Sequence, residues 1–195
     1  ISRSNAYNSL ASMTEKGAAY LVEEASTRKY VPVPLNEFCK NRIRKLEESG
    51  KWLQEHMPTE KAYVEGYITI EGAENILNKI KNLLSQVDQR VYISCTRNYL
   101  LLLIRELDTL MEERKKVVII TDQPATFHNA KVYFGENRGM QIGIIADSKY
   151  VLTGEYGEGS MNTCLYSGQK NFVELYKTAL ANEIKLLSIR EENKD

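Results

Sequence analysis

The chain has 195 residues, 43% of them hydrophobic, and its 26 Lys and Arg residues balance its 26 Asp and Glu residues. Because the formal net charge is zero, no global basic field attracts nucleic acid, and any DNA contact has to come from a local patch. The longest apolar run, residues 99–104, is far shorter than the roughly 20 residues that span a bilayer, so we predict no membrane segment.

The sequence begins without a methionine and opens directly in a predicted helix over residues 2–15. A serine near its start can cap this helix, and Gly17 follows it as a C′ glycine. Two short runs with β propensity, 18–24 and 27–33, flank a polar turn and predict a hairpin. Two prolines end the hairpin, because proline donates no ladder hydrogen bond. Residues 1–34 form the first predicted region.

A charged helix with a thin apolar stripe is predicted for the second region, residues 35–58. Leu46, Gly50, Leu53 and Met57 share this stripe, which continues imperfectly upstream. A stripe this narrow suits a two-helix seam better than a broad core face, so we predict a linker and dimerisation helix, with a coiled coil as its form. The alternative is an amphipathic helix that lies on its own domain.

The third predicted region, residues 59–195, has the pattern of an α/β domain. Its order of strand, helix, strand, helix and strand implies a parallel sheet with crossover helices. A β-rich segment and a final helix follow. The predicted strands cover 62–70, 90–95, 116–121, 130–134, 140–147, 149–155 and 162–167, and the predicted helices cover 73–87, 100–111 and 172–187.

The three cysteines, Cys39, Cys95 and Cys164, are scattered and odd in number, without a C-x-x-C pair or a Cys/His cluster. We predict reduced, packed cysteines in a cytoplasmic protein, because free cysteine is usually buried. No group of candidate ligands has the spacing of a metal site, so we predict neither a metal nor a cofactor.

The first predicted helix and hairpin resemble the second half of a winged helix-turn-helix domain. The pattern S-R-S-T-x-Y-x-x-L-x-x-L-x-x-K-G of many bacterial and archaeal regulators is matched, with Met in place of one Leu, by Ser2, Arg3, Ser4, Asn5, Tyr7, Leu10, Met13, Lys16 and Gly17. In such a helix Arg3 can reach guanine or phosphate, and Asn5 and Asn8 can read base edges. Basic residues at the hairpin lie where a wing contacts phosphate. The predicted DNA-binding residues are Ser2, Arg3, Ser4, Asn5, Tyr7, Asn8, Arg28 and Lys29. The alternative is a small surface helix and hairpin.

The order of the regions resembles that of the TrmB-like family of transcriptional regulators, whose effector domains open with a strand and the pattern E-G-x-x-N-I-L. Here that pattern stands as Glu71, Gly72, Asn75, Ile76 and Leu77. The resemblance implies a winged helix joined to a phospholipase-D-like α/β effector domain, commonly in a homodimer, and some members of the family sense sugars. It also implies that the chain is N-terminally truncated and begins inside the DNA-binding domain. Because the helix that supports the recognition helix would then be missing, we expect the chain as given to bind DNA weakly.

A phospholipase-D-like fold raises the possibility of an enzyme. That chemistry resembles the motif H-x-K-x-x-x-x-D, in which the imidazole is the nucleophile. Neither His56 nor His128 starts such a motif. Counting back from Asp147 places Met140 at the His position and Ile142 at the Lys position. We therefore predict no catalytic residues and no phospholipase activity.

In an open sheet, ligands bind outside the carboxyl ends of the strands. Polar residues follow several predicted strands there, and we predict that they bind a hydroxyl-rich effector, with Tyr156 as a stacking face. The predicted ligand-binding residues are Thr96, Arg97, Asp122, Glu155, Tyr156, Ser160 and Asn162. The alternative for each is ordinary turn chemistry.

The favoured hypothesis is a dimeric, DNA-binding transcriptional regulator whose α/β domain senses a small molecule, such as a sugar, and thereby alters its binding to double-stranded DNA. The first alternative is a phospholipase-D-like phosphodiesterase or a catalytically dead binding relative. The second is a DNA-bound scaffold without a ligand, which a site filled by large side chains would favour.

Overall fold

The structure is a computed structural model that describes residues 2–24, 27–58, 66–124, 127–135, 138–157 and 161–192. The chain divides into two compact units, residues 1–61 and 62–195, and each is described by itself. No described helix is both long enough and apolar enough to cross a bilayer.

The first unit consists of a helix, a hairpin and a long helix. Ser2 begins it as an N-cap, and its hydroxyl accepts a hydrogen bond from the backbone N–H of Asn5 at 3.3 Å. A Schellman motif ends the first helix: Ala18 N–H bonds to the carbonyl of Met13, and Gly17 has a φ of 72°. The predicted C′ glycine is confirmed. The elements are α1 (Arg3–Glu15), β1 (Ala19–Glu24), β2 (Thr27–Pro32) and α2 (Leu35–His56).

The two strands pair antiparallel, from Ala19 opposite Pro32 to Glu24 opposite Thr27, so the predicted hairpin is confirmed. The tip of the turn, residues 25 and 26, lies outside the described residues. The hydroxyl of Tyr20 on β1 donates a hydrogen bond to the carboxylate of Glu37 on α2 at 2.7 Å. This bond fixes the hairpin to the first turn of the long helix, and it raises the pKa of Tyr20.

The second unit is built on a seven-stranded mixed sheet with the order β3-β9-β8-β7-β4-β5-β6. Its strands are β3 (Tyr67–Glu71), β4 (Arg90–Ser94), β5 (Lys116–Thr121), β6 (Ala130–Phe134), β7 (Gln141–Ala146), β8 (Tyr150–Glu155) and β9 (Thr163–Ser167). Its helices are α3 (Ala73–Ser85), α4 (Arg97–Leu101), α5 (Ile104–Glu112) and α6 (Lys170–Glu192).

Only part of this sheet is parallel, which corrects the sequence-based expectation. β4, β5 and β6 pair in parallel, whereas β7, β8 and β9 join by antiparallel pairing. β3 lies at the far edge and pairs antiparallel with β9, not beside β4. The helix after β3 therefore carries the chain past three other strands. The part of the first predicted strand that precedes residue 66 lies outside the described residues.

Side chains alternate between two cores on the two faces of the sheet. On β5, Val117 and Ile119 pack with α3 and α5, whereas Val118 and Ile120 pack with α6. Strands that are apolar on both faces require a layer of helices on each side. The unit therefore has three layers, as the continuous β-branched run of β5 predicts.

The second predicted helix of this unit is interrupted. Residues 100–111 divide into α4 and α5, and Leu103 between them has φ −115° and ψ 6°, outside the helical region. Leu100 and Leu103 are both fully buried. Periodicity alone does not reveal this break, because both halves keep an apolar stripe.

Gly154 on β8 lies close to the backbone of the neighbouring strand β9. A Cβ atom there would collide with the carbonyl oxygen of Thr163 and with the Cα of Cys164 on β9. At Gly143, on the neighbouring strand β7, a Cβ would instead lie 3.3 Å from the Tyr176 ring, whose side chain can move by a few tenths of an ångström.

We predict that Gly154→Ala lowers the free energy of unfolding by about 3 kcal/mol, because two backbones have to separate. Gly143→Ala serves as the matched control and should cost under about 1.5 kcal/mol. Urea denaturation of both variants measures these losses of free energy of unfolding. Equal losses in the two variants would show that the backbone contact at Gly154 is not the cause.

Candidate functional sites

The outer surface of α1 is the first candidate site. None of its residues is buried, and Arg3, Asn5, Tyr7 and Asn8 are all exposed. Ser2 is exposed as well, but its hydroxyl is occupied by the N-cap bond. Ser4, the remaining predicted contact on this helix, is likewise exposed. The structure thus places all of the predicted α1 residues at the start of one solvent-facing helix.

The hairpin carries the two predicted wing residues. Arg28 Nε donates to the carboxylate of Glu23, directly opposite on β1, at 3.0 Å. Both side chains are largely exposed, and such pairs contribute about 0–1 kcal/mol. A phosphate can therefore compete with Glu23 for Arg28. Lys29 is the next residue along β2 and is also exposed.

The second candidate site lies at one end of the strands of the large sheet, where β4, β5 and β8 reach their carboxyl ends. This end of the sheet is called its edge below. Because β7 and β9 run in the opposite direction, their first residues lie at this same edge. The described residues among the predicted ligand contacts all follow or precede strands here: Thr96, Arg97, Asp122, Glu155, Tyr156 and Asn162. Ser160 lies outside the described residues.

Asp122 is engaged in holding the backbone at this edge. Its Oδ1 accepts a hydrogen bond from the N–H of Arg97, the first residue of α4, at 2.8 Å. Thr96 is the N-cap residue of α4 but makes no side-chain capping bond. The carboxylate of Asp122 therefore takes that role, and the negative charge suits a helix N-terminus.

Asn162 is likewise part of the internal framework. Its Oδ1 accepts a hydrogen bond from Gly157 N–H at 2.6 Å, and its backbone carbonyl accepts one from Gly72 N–H at 2.9 Å. These bonds connect the segment between β8 and β9 to the end of β3. The ligand-binding role of Asn162 stays a prediction.

Tyr156 points into the core instead of standing at the edge. Its residue surface is only 7% exposed, and its ring meets Tyr99 edge to face with centroids 4.8 Å apart. Burial, together with neighbouring Tyr99, raises the pKa of Tyr156. Little of this ring is available for stacking on a ligand. Arg97 and Glu155 are exposed charged side chains at this edge.

Apolar side chains occupy the positions that the phospholipase motif would use. Ile142 is 2% exposed and belongs to the core beneath α3 and α5. Met140 packs beside Gly157, where a Cβ would lie 3.0 Å from the methionine sulfur and would collide with the Tyr99 hydroxyl. Neither side chain can act as a nucleophile or bind phosphate as a cation.

The third motif position, Asp147, has a structural role. Its carboxylate accepts hydrogen bonds from the backbone N–H groups of Asp88, Gln89 and Arg90 at 2.8–2.9 Å, which fixes the start of β4. Burial opposes ionisation, but these three hydrogen bonds outweigh it and lower the pKa of Asp147. Asp147 also has a φ of 49° in the turn between β7 and β8.

A polar cluster that the sequence analysis missed lies on the opposite face of the sheet, under α6. Arg138, whose side chain is 9% exposed, donates hydrogen bonds to Ser94 and to Glu183. Hydroxyls of Thr153 and Tyr176 bond to each other nearby in the same layer. The sequence signal was Glu183 itself, a charged residue within the apolar stripe of the final helix.

Two of the three cysteines match the prediction of packed thiols. Cys95 and Cys164 are buried, and burial raises their pKa values to about 12 and about 11. Cys39 on α2 is exposed, which corrects the expectation for that residue. The described part of the chain contains no group of three or more His, Cys, Asp and Glu residues that could hold a metal ion.

Comparison with solved structures finds a similar fold in TrmBL2, described as an archaeal chromatin protein with a novel mode of DNA binding. The two chains are 17% identical with a TM-score of 0.55, and the match covers 95% of this chain and 82% of TrmBL2. No protein-family model and no curated protein sequence matches the chain significantly. The fold is α/β: a helix, a hairpin and a long helix are followed by a unit with a mixed sheet, and this order of elements is similar to the fold of TrmBL2.

Two further solved structures are similar at a lower level. NucT from Helicobacter pylori is 16% identical with a TM-score of 0.49, over 62% of this chain and 97% of NucT. Nuc from Salmonella typhimurium, a phospholipase D family member, is 10% identical with a TM-score of 0.47, over 60% of this chain and 92% of Nuc.

We predict that Asp147→Asn lowers the free energy of unfolding at pH 7 by about 1–2 kcal/mol, because an amide cannot accept all three backbone hydrogen bonds and the site is partly solvated. The pKa of Asp147 is lower in the folded protein than its ordinary value of about 3.9. The carboxylate therefore stabilises the fold at pH values above 3.9, and this stabilisation is lost as the pH falls through the lowered pKa. The difference in the free energy of unfolding between wild type and Asp147→Asn should therefore be smaller at pH 3 than at pH 7.

Urea denaturation at pH 7 and pH 3 measures this gap, with Asp108→Asn on the exposed side of α5 as the matched control. The control should stay within about 0.5 kcal/mol of wild type. An Asp147→Asn protein as stable as wild type at pH 7 would show that the three bonds contribute nothing.

Proposed function

We propose that the chain is a DNA-binding transcriptional regulator. The observation that carries this proposal is the exposed start of α1, where a capped helix presents Arg3, Asn5 and Asn8 to solvent together. A helix N-terminus with short polar side chains and one arginine suits the major groove. The hairpin supplies Arg28 and Lys29 for the adjacent phosphates.

The proposed organisation is a DNA-binding region over residues 1–34, a linker and dimerisation helix over 35–58, and an effector domain over 59–195. The DNA-binding activity named for TrmBL2, a protein of similar fold, supports the assignment of the first domain. In this proposal the protein is a cytoplasmic homodimer of the TrmB-like family, and two recognition helices contact two half-sites on double-stranded DNA.

The effector domain is proposed to sense a small hydroxyl-rich molecule, such as a sugar, at the edge of the sheet. Arg97 and Glu155 are exposed there, and Asn162 and the segment after it border the same edge. A ligand that binds one dimer geometry better than another shifts the population toward it. That shift would change the spacing of the recognition helices and hence the affinity for DNA.

A second candidate function is a DNA-bound scaffold without a ligand. Tyr99, Tyr156 and Met140 pack together at the edge where a ligand would enter, and this packing favours the scaffold. In either case we propose that the chain is not an enzyme. The support is the replacement of the nucleophile and the phosphate-binding cation by Met140 and Ile142.

We predict that the protein, expressed from its natural start codon, binds DNA from upstream of its own gene with an affinity that falls steeply as salt rises. Arg3→Ala should weaken this binding about tenfold, because a base or phosphate contact is lost. Fluorescence anisotropy at two or more salt concentrations measures both quantities.

Lys185→Ala, which removes one exposed cation from α6, is the matched control and should bind within about twofold of wild type. The regulator proposal fails if wild type shows no salt-dependent binding. The role of α1 fails if the two variants lose affinity equally.

For the sensor proposal, we predict that one of a panel of sugars, sugar phosphates and common metabolites raises the Tm of the protein. A ligand at 100 times its Kd adds roughly 2.7 kcal/mol to the free energy of unfolding, which corresponds to a shift of several degrees. Arg97→Ala should reduce the shift, whereas Arg105→Ala on exposed α5 should not. A panel without any shift would favour the scaffold.

A further inference from the structure

One arginine lies buried beneath α6 with part of its hydrogen-bonding capacity unused. The side chain of Arg138 is only 9% exposed; its Nη1 donates a hydrogen bond to the hydroxyl of Ser94, and its Nη2 donates one to the carboxylate of Glu183. The third nitrogen, Nε, is buried and has no hydrogen-bond partner among the described residues. A buried donor without an acceptor is costly, so this N–H group calls for an explanation.

The unpaired nitrogen belongs to the side of the guanidinium that suits an anion with two oxygens. The N–H groups of Nε and Nη2 form a fork that matches two oxygens of one carboxylate or phosphate. Glu183 fills half of this fork, because a single carboxylate oxygen, Oε1, bonds to Nη2. Arg138 is therefore placed to bind an anion through two hydrogen bonds, but Glu183 supplies an acceptor for one of them.

A row of three residues on neighbouring strands forms the floor of the cluster. Ser94 on β4 pairs with Gly143 on β7, which pairs in turn with Thr153 on β8. All three face α6, because alternate neighbours on the same strands, such as Tyr92 and Val151, belong to the core under that helix. Gly143 contributes no side chain, so the row presents two hydroxyl groups with a glycine between them.

Hydrogen-bond donors outnumber acceptors around this row. The oxygen of Ser94 accepts a hydrogen bond from Arg138, so its own O–H group remains to be donated. Thr153 and Tyr176 share one hydrogen bond, which uses one of their two O–H groups and leaves the other. Together with Nε–H of Arg138, three donors therefore lack an acceptor among the described residues. A chemical group that only accepts hydrogen bonds would satisfy them.

We propose that this cluster binds a small oxyanion, which is the carboxylate or phosphate group of a metabolite. Two oxygens of the ligand accept hydrogen bonds from Nε and Nη2 of Arg138, and the hydroxyl groups beside it turn toward further oxygens of the same ligand. Glu183 is the internal competitor. Because its side chain is 38% exposed, it can turn to solvent as the ligand takes its place.

The proposed oxyanion site is distinct from the positions of the phospholipase motif and from the proposed effector site. Ile142, at the Lys position of the motif, belongs to the core beneath α3 and α5, whereas the next residue, Gly143, faces α6. The hydrogen bonds of the cluster do not include Arg97 or Glu155, the exposed residues of the proposed effector site. The oxyanion site therefore goes beyond the proposed function and does not depend on DNA binding.

The test follows the Nε–H resonance of Arg138 by heteronuclear NMR while inorganic phosphate or acetate is added at constant ionic strength. The resonance is assigned by its absence in Arg138→Lys. An Nε–H group that gains an acceptor should shift with a saturable dependence on the concentration of the probe. Saturation by phosphate alone supports the site with a phosphate group as its ligand, and saturation by acetate alone supports it with a carboxylate. Saturation by both supports the shared chemistry.

Glu183→Gln should lower the Kd of the probe about tenfold, because a neutral amide competes less well for Nη2 than a carboxylate does. Glu174→Gln is the matched control, since it removes the same charge from the same helix, where Glu174 forms an exposed ion pair with Lys177. The control should leave the Kd within about twofold of wild type. Equal tightening in the two variants would show a general effect of charge and would overturn the site.

The remaining outcomes also decide the inference. A shift in Glu183→Gln alone supports the site and shows that Glu183 closes it in wild type. If neither probe shifts the Arg138 resonance in either protein, the cluster is a structural ion pair and the site is overturned. If Arg97→Ala abolishes binding of the probe, the anion binds at the edge of the sheet instead.

The results also separate this inference from the proposed function. A protein that binds the oxyanion under α6 but shows no salt-dependent binding to DNA keeps this site and overturns the regulator. A protein that binds DNA but neither phosphate nor acetate overturns this site and leaves the regulator standing.

Discussion

The shortage of buried apolar surface in the first unit is the constraint on which the rest of the account depends. Among its described residues, the buried hydrophobic side chains are those of Ala19 and Val33. Isolated helices are marginal in water, and most helical stability in proteins comes from packing an apolar face. The N-cap at Ser2 contributes on the order of 1 kcal/mol. The Schellman motif at Gly17 and the exposed bond from Tyr20 to Glu37 add local constraints. A row of exposed apolar side chains lies along α2, so pairing of that helix would stabilise the unit that carries α1. In the proposed dimer, pairing of α2 would therefore also stabilise the unit whose helix α1 is proposed to contact DNA.

The second unit has the opposite character, because its sheet is covered on both faces. Ionisable groups at its edges mainly hold backbone: Asp147 fixes the start of β4, and Asp122 caps α4. Apolar side chains stand at the two positions where phosphoryl transfer would need an imidazole and an ammonium. Arg97 and Glu155 are exposed at this edge, where they can recognise a ligand or a partner surface.

The sequence was sufficient where a local pattern decides the structure. The C′ glycine at position 17, the hairpin and the doubly buried strand β5 follow from residue types and short spacings, and the structure confirms them. The position of β3 could not be predicted, because its pairing with β9 depends on a strand 92 or more residues later in the chain. The break at Leu103 was hidden by an apolar stripe that continues through it. Topology predicted that the candidate ligand residues share one edge of the sheet, and the structure places the described ones there. The orientation of Tyr156 depends on its packing against Tyr99, which periodicity cannot reveal. Arg138 was missed because its partners, Ser94 and Glu183, come from distant elements.

The measurement that tests the central claim most directly is hydroxyl-radical footprinting of the protein, expressed from its natural start codon, on DNA from upstream of its own gene. A dimer that presents two α1 helices should protect two symmetric patches on one face of the duplex, with centres about 10 base pairs, or a multiple of that, apart. Protection of both patches should disappear together in Arg3→Ala. A single unsymmetric patch, or a footprint that Arg3→Ala leaves intact, would contradict the account.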